Sequence, residues 1–149
     1  MTRSLLSILV LTLAFGSPAF ADDAADIQAQ AALFEKAVNS GDVAGMTAPY
    51  TEDAILLPPD SPAVQGTDNI RGFWQQMAQA GAADLRITPQ ETTVLGDQAY
   101  RVISFTFRAG PEDEQPLEGK ALEIWRKGAD GVWKMHRDAW NLNAPMPMQ

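Results

Sequence analysis

The sequence predicts an α+β domain, with helices in its first half and an antiparallel meander in its second. Three observations predict it. Ile27, Ala31, Phe34 and Val38 recur at helical spacing. Beyond Ala83 the pattern changes to strict alternation, clearest over residues 98–108. The chain then ends in two strand-like runs, residues 121–127 and 132–141, around Gly128-Ala129-Asp130-Gly131, which is a hairpin signal. Helices followed by strands, rather than alternating with them, give segregated α+β packing.

The first 21 residues read as a segment outside the fold. A short basic start, Met1-Thr2-Arg3, precedes an apolar run over residues 5–15, and Ala19 and Ala21 place small residues at the cleavage-determining positions. That is the pattern of a secretory signal peptide cut between Ala21 and Asp22. The apolar run is too short to span a bilayer. The expected destination is a bacterial periplasm or the outside of the cell, with no membrane attachment after cleavage. There is no cysteine, which excludes disulfides, thiolate metal sites and a lipoprotein anchor. The remaining 128 of 149 residues suffice for one domain, assigned to residues 22–142 with a tail at 143–149. Without Arg3 the 11 basic side chains become 10 against 19 acidic ones, a formal charge of −9. Nucleic acid and anionic membrane, which need basic patches, are disfavoured as partners.

Taken in order, residues 22–40 predict the first helix, with acidic residues at its start where the dipole favours them. Asn39-Ser40-Gly41-Asp42 ends it, and Asp42 is placed to cap a second helix over residues 43–50. Thr51-Glu52-Asp53 reads as a turn into a strand at 54–57, stopped by Pro58-Pro59. Residues 60–65 read as loop. Thr67 or Asp68 caps a third helix to about Ala80, with Ile70, Phe73, Trp74 and Met77 as its buried stripe and Gly81 at its end. Residues 84–88 and 92–95 read as strand broken near Pro89, and Gly96-Asp97 as a turn. The alternating run that follows puts Tyr100, Val102, Ser104 and Thr106 on one face and Ile103, Phe105 and Phe107 on the other. Residues 109–118 form a polar, proline-containing loop before the hairpin.

The hairpin carries the candidate chemistry. Period-two alternation places Lys134, His136, Asp138 and Trp140 on one face of its second strand, and Trp133, Met135, Arg137 and Ala139 on the other. Pairing Lys127 with Val132 sets Glu123 opposite His136; a shift of two residues sets it opposite Asp138 or Lys134. The single histidine is therefore expected to share a face with Glu123, Asp138, Trp125 and Trp140, lining a pocket if the sheet curls. Ser104 and Thr106 would make that face partly polar and suit a small oxygenated ligand. The other face, with Ile103, Phe105, Leu122, Ile124, Trp133 and Met135, is the expected dimer surface.

Several segments resemble the nuclear transport factor 2-like superfamily, and within it the ketosteroid isomerase and SnoaL-like polyketide cyclase relatives. They are Asn39-Ser40-Gly41-Asp42, Tyr50-Thr51-Glu52-Asp53-Ala54, residues 66–74 (GTDNIRGFW), Ile124-Trp125-Arg126 and residues 133–138 (WKMHRD). The resemblance covers nearly the whole chain after residue 21. It implies a cone in which three helices pack on a strongly curved, mostly antiparallel sheet that encloses a pocket, often as a homodimer. In ketosteroid isomerase an aspartate base faces a tyrosine and a protonated aspartate. Laid on this chain, the base position falls on Pro58 and the tyrosine position on Phe34, neither of which can do that chemistry; only Glu123 keeps a carboxyl. Steroid isomerisation is therefore rejected. The cyclase branch carries a histidine and an aspartate two apart on the last strand, with the aspartate as acid/base, and His136 and Asp138 match that pattern.

The leading expectation is an exported small-molecule-binding domain with a pocket of Tyr50, Phe34, Ser104, Thr106, Trp125 and Trp140. The alternatives are a cyclase, isomerase or dehydratase using His136, Asp138 and Glu123 for proton transfer, and a dimeric assembly domain without catalysis. One histidine and two carboxylates can form a metal triad. Without a second histidine or a ligand motif, however, neither a metal nor another cofactor is expected.

Overall fold

The computed structural model describes residues 19–110 and 115–144. The expected signal peptide up to Pro18 and the end of the tail lie outside the described residues.

Helix α1 (Ala19–Ser40) starts the described chain. Its Ile27, Ala31, Phe34 and Val38 are all buried, as the spacing predicts. Helix α2 is shorter than expected, Val43–Thr47, with Asp42 capping it by accepting from Gly45 N–H at 3.1 Å. Strand β1 (Tyr50–Leu57) begins earlier than expected, so Thr51-Glu52-Asp53 belongs to the strand and is not a turn. A two-residue strand β2 (Val64–Gln65) pairs with it. Helix α3 (Thr67–Gln79) follows Gly66, which stands at the N-cap without a side-chain cap; Ile70 and Trp74 are its buried residues.

Strands β3 (Ala83–Leu95), β4 (Gln98–Arg108), β5 (Leu117–Lys127) and β6 (Trp133–Leu142) follow. Strand β3 is continuous; a register shift between Pro89 and Glu91 stands where a break is expected. Among the described residues the strands form one six-stranded sheet in the order β2-β1-β6-β5-β4-β3. Every pairing is antiparallel except β1 with β6. Three helices on such a sheet, with β1 and β2 between α2 and α3 and the four long strands after them, are the expected α+β architecture.

The hairpin register decides which side chains enter the core. Lys127 pairs with Trp133 and Trp125 with Met135, but Ile124 then pairs with Arg137 and Glu123 with Asp138. One extra residue, His136, is inserted into β6 as a bulge. The bulge switches the parity of the strand. Trp133 and Met135 point inward before it, and Asp138 inward after it, all three buried. Without it, no register could bury Trp133, Met135 and Asp138 together, since they lie on opposite parities of an unbroken strand.

This overturns the expected face assignment. Ile103, Phe105, Trp133 and Met135 are core residues and do not form an outer dimer surface. Ser104 and Thr106 alternate with buried Ile103, Phe105 and Phe107, so they stand on the outer face. The physical reason is burial: the parity carrying the phenylalanines removes more apolar surface from water than the parity carrying hydroxyls.

Candidate functional site

The helices and the inner sheet face leave a small cavity of about 70 Å³. On the same measure a single water needs roughly 10–15 Å³, so the space suits a small organic molecule or a few waters. Phe34, Trp74 and Met77 line it from the helices, and Ile103, Phe105 and Phe107 from the sheet. Two carboxyl groups, Glu123 and Asp138, break this apolar lining. They are cross-strand partners on β5 and β6.

Asp138 is buried and accepts a hydrogen bond from the Tyr50 hydroxyl at 2.6 Å. Burial and the nearby Glu123 carboxylate push its pKa up to about 7, against the pull of the Tyr50 hydrogen bond. Burial and the Asp138 carboxylate in turn hold the Tyr50 phenol well above its ordinary value. The pair is therefore a carboxyl group that gains or loses a proton near neutrality, oriented by a phenol that remains protonated.

Glu123 has different partners. Its Oε2 accepts from Arg101 Nη1 at 3.1 Å and from the Trp125 indole N–H at 2.7 Å. Burial raises its pKa, and Arg101 and Trp125 oppose that rise. Arg101 is fully buried, and its second terminal nitrogen donates to Gln28 Oε1 at 3.0 Å. Sequence reasoning missed Arg101. The signal was present, since it shares the parity of Ala99, Ile103 and Phe105 on β4, the one charge in an apolar row.

The remaining expected residues separate. Phe34 and Trp140 line the cavity; Trp125 is completely buried beside Glu123, and Tyr50 is reached through Asp138. Ser104 and Thr106 are outside. So is His136, which corrects the expected acid–base pair. At the bulge its Nδ1 lies 3.1 Å from Thr51 Oγ1 and 3.4 Å from Asp53 Oδ1, and its Nε2 lies 2.6 Å from Arg126 Nη2. An arginine can only donate, so Nε2 accepts from Arg126, while Nδ1 faces a second arginine nitrogen, Arg137 Nη1 at 3.0 Å, beside Thr51 and Asp53. Loss of hydration, then repulsion from Arg137 and Arg126, lowers the His136 pKa. The imidazole is thus a neutral link between the irregular start of β1 and the β5–β6 hairpin. The three-ligand metal arrangement also dissolves, because His136 faces away from Glu123 and Asp138. Among the described residues no three histidine, aspartate or glutamate side chains gather as metal ligands.

The SnoaL-like domain family matches residues 31–136. A buried polar pair in an apolar pocket between the helices and a mostly antiparallel six-stranded sheet is the setting in which that match falls, and the chain belongs to the SnoaL-like domain family. Among solved structures, it is similar to a ketosteroid isomerase-like protein from Erwinia carotovora atroseptica at 24% identity and a TM-score of 0.74, covering 85% of this chain and 100% of that one. An NTF2-like protein with a cystatin-like fold from Novosphingobium aromaticivorans matches at 18% identity and a TM-score of 0.71, over 83% of each chain. A cystatin-like domain of unknown function from Nostoc punctiforme matches at 20% identity and a TM-score of 0.72, over 85% of this chain and 80% of that one. At these identities the likeness establishes the nuclear-transport-factor-2-like fold. No curated protein matches the chain.

Proposed function

We propose that this protein is an exported small-molecule-binding domain whose pocket performs proton transfer on its ligand, in the manner of an isomerase or cyclase, with Asp138 as acid/base. One observation carries the reading. Asp138 sits in an apolar cavity, oriented by Tyr50 and paired with no cation among the described residues, and its pKa is pushed up to about 7. A carboxyl with that midpoint can both take and return a proton at neutral pH. Tyr50 positions it, and the aromatic lining around Phe34 and Trp140 would hold an apolar ligand body and exclude water. The likeness to a ketosteroid isomerase-like protein and membership of the SnoaL-like family support the class of chemistry. Export through cleavage after Ala21 belongs to the same proposal, and a mature N-terminus at Asp22 by mass spectrometry is its expected outcome.

The test uses small ketones and aldehydes as probes, incubated with protein in heavy water. Exchange of the hydrogen next to the carbonyl, read by NMR, is expected with the wild-type protein and should fall at least 100-fold in Asp138→Asn. Binding without exchange, shown by quenching of tryptophan fluorescence, would leave a binding protein and remove the catalytic role.

The homodimer is proposed through the outer sheet face, where Leu122 and Ile124 of the expected set are joined by Val102 and Ala139, while Ile103, Phe105, Trp133 and Met135 lie in the core. Leu122 is 48% exposed on that face. Sedimentation at micromolar concentration should give twice the chain mass, and a monomer would discard the interface.

A further inference from the structure

We propose that Glu123, held as a carboxylate by Arg101 and Trp125, keeps the pocket's exchangeable proton on Asp138 and thereby restricts the pocket to neutral, mostly apolar ligands. The inference rests on the reading of Asp138 as the pocket's acid/base and adds the group that sets its charge.

The two carboxyls are neighbours with unequal partners. Glu123 receives two N–H groups, from Arg101 at 3.1 Å and Trp125 at 2.7 Å. Among the described residues Asp138 receives only the Tyr50 hydroxyl, at 2.6 Å. Arg101 cannot lose its proton. It is fully buried, and among the described residues its Nε has no hydrogen-bond partner and the Glu123 carboxylate is its one counter-charge. Protonating Glu123 would strand a buried cation, whereas protonating Asp138 strands nothing. A second anion beside Glu123 is opposed by direct repulsion in a medium of low polarity. When the two carboxyls share one proton, it therefore resides on Asp138.

The other groups facing Asp138 do not alter this. Strand β1 contributes Tyr50, β5 contributes Glu123, and β4 contributes Arg101 through Glu123. Helices α1 and α3 present Phe34 and Trp74, and β3 presents Leu85 and Ile87. Among the described residues lining the cavity there is no lysine, arginine or histidine. An anionic ligand would meet a carboxylate and no free cation. A neutral ligand with a carbonyl or hydroxyl oxygen can accept the Asp138 O–H while its hydrocarbon body covers the aromatic lining.

Two measurements on the intact protein test this. Carbon-13 NMR of labelled carboxyl groups follows both sites through a pH titration. Glu123 is expected to keep its carboxylate shift throughout the step in which Asp138 titrates, and in Glu123→Gln the Asp138 midpoint should fall by at least one pH unit. Fluorescence titration at pH 6 then compares benzyl alcohol with benzoate. Wild-type protein should bind the alcohol at least 10-fold more tightly. Glu123→Gln, which releases Arg101, should reverse the preference. Titration of Glu123 together with or above Asp138 in the wild-type protein overturns the proposal even if the variant does not fold. So does an absence of preference between the probes, binding of neither included. Loss of exchange in Asp138→Asn combined with a reversed titration order would sink this inference and leave the acid/base reading standing. The expected order with exchange unaffected in Asp138→Asn would sink only that reading.

Discussion

At the scale of single residues, Asp138 makes a prediction that requires no substrate. Its folded pKa, about 7, lies above the ordinary 3.8. Between those values the folded chain holds a proton that the unfolded chain has released. Asp138 therefore stabilises the fold fully below its unfolded pKa, and that contribution is lost as pH rises through about 7. Asp138→Asn, which still accepts from Tyr50, should remove this dependence and be the more stable protein at pH 8, by at most about 4 kcal/mol. Chemical denaturation at pH 5 and pH 8 reads the difference; a wild-type protein gaining stability over that range from this site would contradict it. His136 gives the opposite expectation. Because it links β1 to the hairpin outside the cavity, His136→Asn should leave probe affinity and exchange within twofold while costing about 1 kcal/mol in stability. Residue identity was legible in the sequence here, as both carboxyls of the pocket were singled out. Their partners were not, because a partner depends on which strand face is inside.

At the scale of elements, the bulge in β6 is the decisive feature. Helices α1 and α3 follow from their apolar spacing, and β4 occupies the span its alternation predicts, Gln98–Arg108. Alternation fixes which residues share a face of a strand but not which face is buried. On β6 even the shared face fails, because inserting His136 changes parity halfway along. The sequence does hold a trace of it: Trp133 and Met135 lie on one parity and Trp140 on the other, so no unbroken strand could bury all three. Strand β5 carries a second constraint at Gly119. A Cβ there would overlap the Phe105 ring and come within 2.7 Å of Asn141 O. Gly119→Ala should destabilise the protein by roughly 1–3 kcal/mol through overpacking, measured as a lowered denaturation midpoint with an unchanged slope. Proper stability in that variant would mean that the aromatic ring yields freely.

At the scale of the whole molecule, α1 is tied to the distant hairpin at the chain's end. The Asp23 carboxylate accepts from Lys127 Nζ at 2.6 Å and from Trp133 Nε1 at 3.0 Å, and those bonds hold its pKa below the ordinary range. Asp23→Ala should speed amide hydrogen exchange at the start of α1 and at the hairpin tip together; an effect confined to the helix would show that the tie does not couple them. Composition, helical spacing, alternation and turn residues determined by themselves the α+β class, the antiparallel meander after the last helix, and the presence of Asp138 and Glu123 in one hairpin. These are local properties, written in propensity and period. Only the tertiary structure decided that the phenylalanine side of β4 is the inside, that His136 leaves the pocket, and that Arg101 belongs to Glu123 while Asp138 faces Tyr50. Each depends on burial against elements remote in sequence, where removal of apolar surface from water and the cost of an unpaired buried charge select one face and one partner.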